Sequence, residues 1–274
     1  MMSLFDKFLF PPPPSLFMTA MSVISFTSLT NAGFSEIKGT HVQYSKFWNG
    51  NNNSQKANEK HIKKQISLPS RTGMLILYTP ACLAGAISFW LFPNHDLRFM
   101  LVNSALTLHF FKRVFEVLFV HRYSGGMLLD STIMISLSYF ISTVSMIYNQ
   151  HLIQGTSDPQ IDLKLVGIVV FLVGIVGNFY HHYILSKLRE KNDKEYKIPT
   201  GGLFGLVICP HYLFEILVFV GVSLISQTVY PISFTIGTAF YLTGRSYATR
   251  NWYLSKFPSF PKHNGENMED IQIP

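Results

Sequence analysis

From Leu163 to Leu185 the chain runs with a single charged residue, Lys164, at its very start. A run of roughly 20 apolar residues matches the thickness of a bilayer's hydrocarbon core when wound as an α-helix. Lipid offers the backbone no hydrogen bonds, so such a segment must satisfy its own amides internally, and a helix is the only single-segment solution. The same pattern recurs along the chain. The spans predicted are Ser15–Asn31, Gly73–Phe92, Leu97–Val120, Ser131–Tyr148, Leu163–Leu185, Tyr212–Ser226 and Tyr230–Trp252, with Pro and Gly punctuation between them. The reading is an all-α, polytopic membrane protein of about seven transmembrane helices.

Composition agrees. Only 14% of the 274 residues are charged and 48% are apolar, against about 25% charged in a soluble domain. The net charge of +7 does not point to nucleic acid, because the basic residues avoid the apolar blocks and gather in alternate loops. Lys38, Lys46, Lys56, Lys60, Lys63, Lys64 and Arg71 follow the first span. Arg122 follows the third, Lys187 to Lys197 the fifth, and Lys256 and Lys262 the last. The other side holds little beyond Lys7, Arg98 and Lys164, with Asp158 and Asp162 beside them. The positive-inside rule then predicts a cytosolic C-terminus and an N-terminus on the opposite side. Asn49 to Lys64 reads as a flexible cytosolic loop. Cys82 and Cys209 show neither metal-ligand spacing nor a disulfide framework. Lys7, the prolines Pro11 to Pro14 and the Ser/Thr-rich run after them read as a first span, not a cleaved signal.

Ionisable residues inside spans are expensive and mark function. In the third span His109, Lys112, Arg113 and Glu116 share one helix face. Asn178, His182 and Arg189 line a face of the fifth, with His181 beside them. His211 and Glu215 lie one turn apart at the start of the sixth. Arg245, Thr249 and Tyr253 repeat every four residues in the seventh. Each has a plainer reading: Lys112 and Glu116 pair along their own helix, the lysines are positive-inside charge, and His211 and Glu215 lack a third metal ligand. All four clusters fall toward the cytosolic half, which predicts one polar cavity open to that side and no metal. Its cations suit a phosphate-bearing cofactor or substrate, and its Tyr, His and Lys are candidate general acids.

The order Asn178-Phe179-Tyr180-His181, Leu188-Arg189, Tyr196 to Phe204, Cys209 to Glu215, and Trp252 to Phe257 with Phe260-Pro261-Lys262 resembles the C-terminal domain of the steroid 5-alpha-reductase family. The block His109 to Gly126 is more similar to the family's very-long-chain trans-2-enoyl-CoA reductase branch. The resemblance implies a seven-helix endoplasmic-reticulum enzyme that reduces, with NADPH, a lipid C=C bond conjugated to a carbonyl. Hydride would go to the β-carbon while a donor stabilises the enolate. It further implies cofactor contacts at Arg113, Asn178, Arg189, Lys197, Glu215, Arg245 and Tyr253. Catalytic groups would come from Lys112, Tyr212 and Tyr253. The glutamate and tyrosine with which steroid reductases hold a 3-ketone correspond here to Tyr78 and Phe110, which tilts the expectation toward an enoyl thioester. Implied partners are the lipid substrate and, beyond it, other lipid-elongation or sterol enzymes.

Two other classes fit the same residues: a non-catalytic relative that keeps the fold, and a membrane methyltransferase, against which the block Tyr196 to Phe204 argues. The domain reading is 1–72 for the first span and basic loop, 73–150 for spans two to four, and 151–274 for the reductase-like C-terminal part.

Overall fold

The computed structural model describes residues 7–42, 44, 47, 66–92, 96–188, 196–258 and 260–261. Among them are seven long helices: α1 (Leu16–Ile37), α2 (Ser70–Leu91), α3 (Leu97–Phe115), α4 (Leu129–Leu152), α5 (Lys164–Lys187), α6 (Pro210–Ser226) and α7 (Val229–Lys256). Each falls on one predicted span. The chain is thus an all-α bundle, and α2, α4 and α5 are long and apolar enough to cross a membrane by length and composition alone. The outer faces agree, since Leu165, Val166, Val169, Leu172, Val173 and Val176 of α5 are all exposed.

Three local features depart from the sequence reading. The first helix continues to Ile37, six residues past the predicted end, which brings Glu36 inside the helix. The third does not stay α-helical to Val120: residues Glu116–Val120 form a wide π-type turn, closed by the His121 amide donating to the Glu116 carbonyl at 2.8 Å. Such turns recur at functional sites because they re-aim side chains without ending the helix. A short antiparallel ribbon, β1 (Ser67–Pro69) with β2 (Gly126–Leu128), ties the starts of α2 and α4 together. The flexible-loop expectation for Asn49 to Lys64 lies outside the described residues.

The helices alternate in direction, and two pairs pack most intimately, α5 with α6 and α1 with α7. Without a hydrophobic drive between helices in lipid, close backbone approach at small residues does the joining. Gly174 makes this concrete, since a Cβ there would stand 2.6 Å from the Val218 amide nitrogen of α6. Gly33 and Gly244 play the same part for α1 against α7, where a Cβ on Gly244 would run into the Gly33 carbonyl.

One end of the bundle is closed by a polar cap. Buried Arg98 donates to the Ile225 carbonyl (2.6 Å) and to Gln227 Oε1 (2.9 Å), and pairs with Asp158 (3.0 Å) and Asp162 (3.1 Å). Gln227 adopts the left-handed conformation with φ 50°, and its amide nitrogen donates to the Phe8 and Ile161 carbonyls at 2.6 and 2.9 Å. A hydrogen bond from Lys164 holds Asp158 below the ordinary carboxylate range, with Arg98 adding to it. The functional groups sit toward the other end.

Candidate functional site

The predicted clusters of spans three, five and six form one buried network. Glu116, fully buried, accepts from Lys112 Nζ at 3.1 Å through one oxygen and from Arg113 Nη1 at 2.8 Å through the other. His182 Nδ1 lies 3.0 Å from that second oxygen. Lys112 also donates to Asn178 Oδ1. The Asn178 amide nitrogen in turn donates to the His211 carbonyl (2.7 Å) and to Glu215 Oε2 (3.0 Å). Arg113 reaches the other way with Nη2, donating to the Tyr78 hydroxyl. Four helices, α2, α3, α5 and α6, are therefore joined by charge-assisted bonds, the kind a low-dielectric interior strengthens most.

Glu116, His121 and His182 bring three potential ligand atoms within 4.8 Å of one another. A guanidinium already stands there: Arg113 Nη1 is 2.8 Å from Glu116 Oε2 and 2.9 Å from His182 Nδ1. The trio is an ion-paired network around a resident cation, and a second positive ion would meet Arg113 and Lys112 at close range.

Two cavities border the network, Tyr78 and Glu215 lining one and His121 and His211 the other. One, about 560 Å³, is mostly apolar and lies between α1, α2, α4, α6 and α7, with Tyr78, Tyr139, Tyr241, Glu215 and several Ser and Thr hydroxyls among its polar groups. Ile24, Met134, Leu137 and Ile141 line it and are also 53%, 57%, 52% and 41% exposed, so it is reachable from the lipid-facing surface between α1 and α4. The other, about 250 Å³, is the more polar of the two and is walled by Arg122, Lys197, Arg245, Tyr212, Tyr253 and the start of α6. Tyr44 and Met74 belong to both walls. Loop residues at the polar mouth are tuned by their burial. It pushes His121 down to about 4, with the Arg113 charge adding to the effect, and raises Tyr123 above its ordinary value.

The expected site residues divide accordingly. Lys197, Tyr212, Arg245 and Tyr253 line the polar cavity, and Glu215 lines the apolar one. Lys112, Arg113 and Asn178 line neither; Asn178 ties Glu215 of the apolar wall to the His211 carbonyl of the polar one and so forms part of the partition between them. Arg189 lies outside the described residues. Phe110 is buried beside Tyr139 with ring centroids 5.4 Å apart. His109 is buried between Phe110 and Phe219, and neither ring nitrogen has a hydrogen-bond partner among the described residues; Nε2 stops 3.6 Å from Glu215 Oε1.

Arg245 is held more tightly than its sequence position foretold. Its Nη1 donates to Glu36 Oε1 at 2.7 Å, and its guanidinium lies 4.3 Å from the Tyr44 ring centre and 4.1 Å from that of Phe47. Glu36 is gripped as well by His41 Nδ1 (2.7 Å) and the Val42 amide (3.1 Å). Glu36, Tyr44, Tyr139 and Tyr241 were missed as site residues. An acidic residue a few positions past an apolar run is a readable signal for Glu36. Nothing local distinguishes the tyrosines.

Fold and site together define a polytopic membrane protein with a polar and a lipid-accessible apolar cavity on either side of a shared wall. The family model described as 3-oxo-5-alpha-steroid 4-dehydrogenase matches residues 126–265, just over half of the chain, and the chain belongs to that family. Among its relatives, the very-long-chain enoyl-CoA reductase of Dictyostelium discoideum is 34% identical over 125 residues, covering 45% of this chain and 41% of the relative. Human 3-oxo-5-alpha-steroid 4-dehydrogenase 1 is 38% identical over 106 residues, covering 39% and 40%. Polyprenal reductase 2 of Oryza sativa subsp. japonica is 39% identical over 102 residues, covering 35% and 28%. The chain thus spans well under half the length of these relatives.

Proposed function

We propose that this chain is a membrane-bound reductase that uses NADPH to saturate a C=C bond conjugated to a carbonyl in a lipid. The observation that carries the reading is the pair of cavities meeting at Tyr44 and Met74, one suited to a polar cofactor and the other to a lipid. A hydride donor and its acceptor must come into contact while one arrives from water and the other from the bilayer, and a shared wall provides the place.

The polar cavity fits a phosphate-bearing cofactor in its donor set. Arg122, Lys197 and Arg245 supply cations, and the start of α6 adds the positive end of its dipole. At about 250 Å³ it is smaller than the roughly 300–1,000 Å³ of a typical ligand pocket, so the described walls hold one end of a dinucleotide rather than all of it. Bound there, NADPH would supply the hydride. Tyr253 and Tyr212 would orient it from the polar side. Lys112, two hydrogen bonds from Glu215 through Asn178, serves as a positioning residue for the partition. The substrate class follows the relatives' names: an enoyl-CoA, a 3-oxo-Δ4 steroid or a polyprenal. The enoyl thioester stands first, because the third-span block His109 to Gly126 resembles the enoyl-CoA reductase branch.

The test supplies NADPH deuterated on the transferable hydrogen to membranes carrying the chain, with each of the three lipids in turn. Deuterium at the β-carbon of one lipid, reduced in the Tyr253→Phe and Lys112→Ala variants, is the expected result. No label in any lipid would overturn the reading. The endoplasmic reticulum and a cytosolic C-terminus belong to the same proposal, and glycosylation tags at each loop check them.

A further inference from the structure

We propose that a cleft between the starts of α1 and α7 binds a neutral membrane lipid whose head is a hydroxyl group, at a site apart from both cavities above. The two helices close on each other farther along, at Gly33, Gly237 and Gly244, where a Cβ would meet the facing helix. At the capped end of the bundle larger residues stand in their place, and a cleft of about 390 Å³ is left open. Met18, Val23, Phe26 and Val229 give it apolar walls. From Met18 to Phe26 it follows about 12 Å of α1.

One buried side chain in this lining lacks a partner. Asn149 of α4 is 2% exposed, and its amide nitrogen donates to Thr228 Oγ1 at 2.7 Å. Ser226 gives its hydroxyl hydrogen to Gln150 Oε1 at 2.9 Å, so across the 2.6 Å between them Thr228 is the donor and Ser226 the acceptor. All the hydrogens of this chain therefore run away from the cleft. Asn149 Oδ1 accepts no hydrogen bond among the described residues. A buried amide oxygen in that state is costly unless something brings it a donor, and donation through its own nitrogen makes it a better acceptor. The neighbouring hydroxyls do not supply that donor. Ser22 and Thr19 donate to the Met18 and Ser15 carbonyls of their own helix, and Tyr230 pairs with Ser25 at 3.2 Å.

The lining selects the ligand by what it offers. Among the described residues it contains no cation to meet a phosphate and no carboxylate to meet an ammonium head. Apolar walls with one unsatisfied acceptor suit an apolar body that ends in a single O–H. Half-buried Ser233 makes no hydrogen bond among the described residues and offers a donor to the same hydroxyl oxygen. The depth agrees, because Asn149 lies in the last turn of α4 and Tyr230 in the first of α7. That end of a spanning helix lies near the bilayer interface, the level at which a membrane alcohol carries its hydroxyl. No residue lines both this cleft and the apolar cavity, although their walls touch at the Ser25–Tyr230 hydrogen bond.

The experiment places the full chain in phosphatidylcholine nanodiscs with a diazirine-bearing sterol or a diazirine-bearing long-chain alcohol, each run beside its own methyl ether, and sequences the crosslinked peptides. At least one alcohol should label α1 between Met18 and Phe26 or the start of α7, and the arm that labels identifies the lipid body. Its ether, which has lost the O–H, should need about 3–10-fold more probe for the same labelling. Ser233→Phe fills the cleft without touching the Asn149 chain and should remove the label. Asn149→Leu should bring the alcohol down to the level of its ether. Equal labelling by alcohol and ether, label spread evenly over the lipid-facing surface, or label unchanged in Ser233→Phe would each overturn the proposal. So would loss of the label to an excess of unlabelled trans-2-enoyl-CoA, 3-oxo-Δ4 steroid or polyprenal, which would put the probe in the apolar cavity instead. If Asn149→Leu does not fold, the ether comparison on wild type and the Ser233→Phe variant still decide.

Discussion

Replacing Glu116 by Gln tests whether the buried network is held by charge or only by hydrogen bonding. The side chain is fully buried, its carboxylate accepts from Lys112 at 3.1 Å and Arg113 at 2.8 Å, and His182 stands at 3.0 Å. Gln keeps the shape and one acceptor oxygen but removes the one negative charge that, among the described residues, touches both cations. Two effects of different size compete. If the network were a set of ordinary interhelical hydrogen bonds in a membrane, each would contribute about 0.6 kcal/mol, because the unfolded chain in lipid also finds partners. If it is a buried ion pair, removing one partner costs about 3–5 kcal/mol, because the remaining charges are left uncompensated. Lys112 keeps Asn178 and Arg113 keeps Tyr78, which places the expectation near the lower end, about 3 kcal/mol. Unfolding in mixed micelles, followed by tryptophan fluorescence, reads it. The double variant Glu116→Gln with Lys112→Met should recover part of the loss, since one uncompensated cation has gone. A Glu116→Gln variant within about 0.5 kcal/mol of wild type, or two losses that simply add, would refute the charge argument.

The pH response follows from His121, whose folded pKa of about 4 lies below its ordinary 6.5. The unfolded chain then binds the proton first, so stability is fully present above about pH 6.5 and is lost as pH falls toward 4, by roughly 1–3 kcal/mol over the window. Denaturation midpoints measured across that window should flatten in His121→Phe. Gly174→Leu would drive a side chain into the α6 backbone, where even a Cβ stands 2.6 Å from the Val218 nitrogen. A loss of about 1–3 kcal/mol or more is expected, visible as a lower melting temperature in detergent. Gln227→Ala removes the side chain that bridges Phe8, Ile161, Leu163 and Arg98. It should cost roughly 2–4 kcal/mol, and limited proteolysis should then cut first in the segment between α4 and α5.

By itself the sequence determined the bundle. Apolar runs of bilayer length, cut by Pro and Gly, leave the backbone no option but helices in lipid, and the charge of alternate loops orders them. It also determined which residues were out of place in lipid, and Lys112, Arg113, Glu116, Asn178, His182 and Glu215 do meet in one network. Helical periodicity made this readable, because spacing of three and four places side chains on a common face. Which face meets which was beyond it. Small residues such as Gly174 and Gly33 set how close two helices come and how they rotate, and only that rotation puts Tyr78 against Arg113, Glu36 against Arg245 and Tyr44 in both cavity walls. Tyrosines in the spans read like ordinary interfacial aromatics until their neighbours are known. Contacts between residues 35 and 209 positions apart leave no local trace, so the network was legible in the chain while the division into two cavities belonged to the packing.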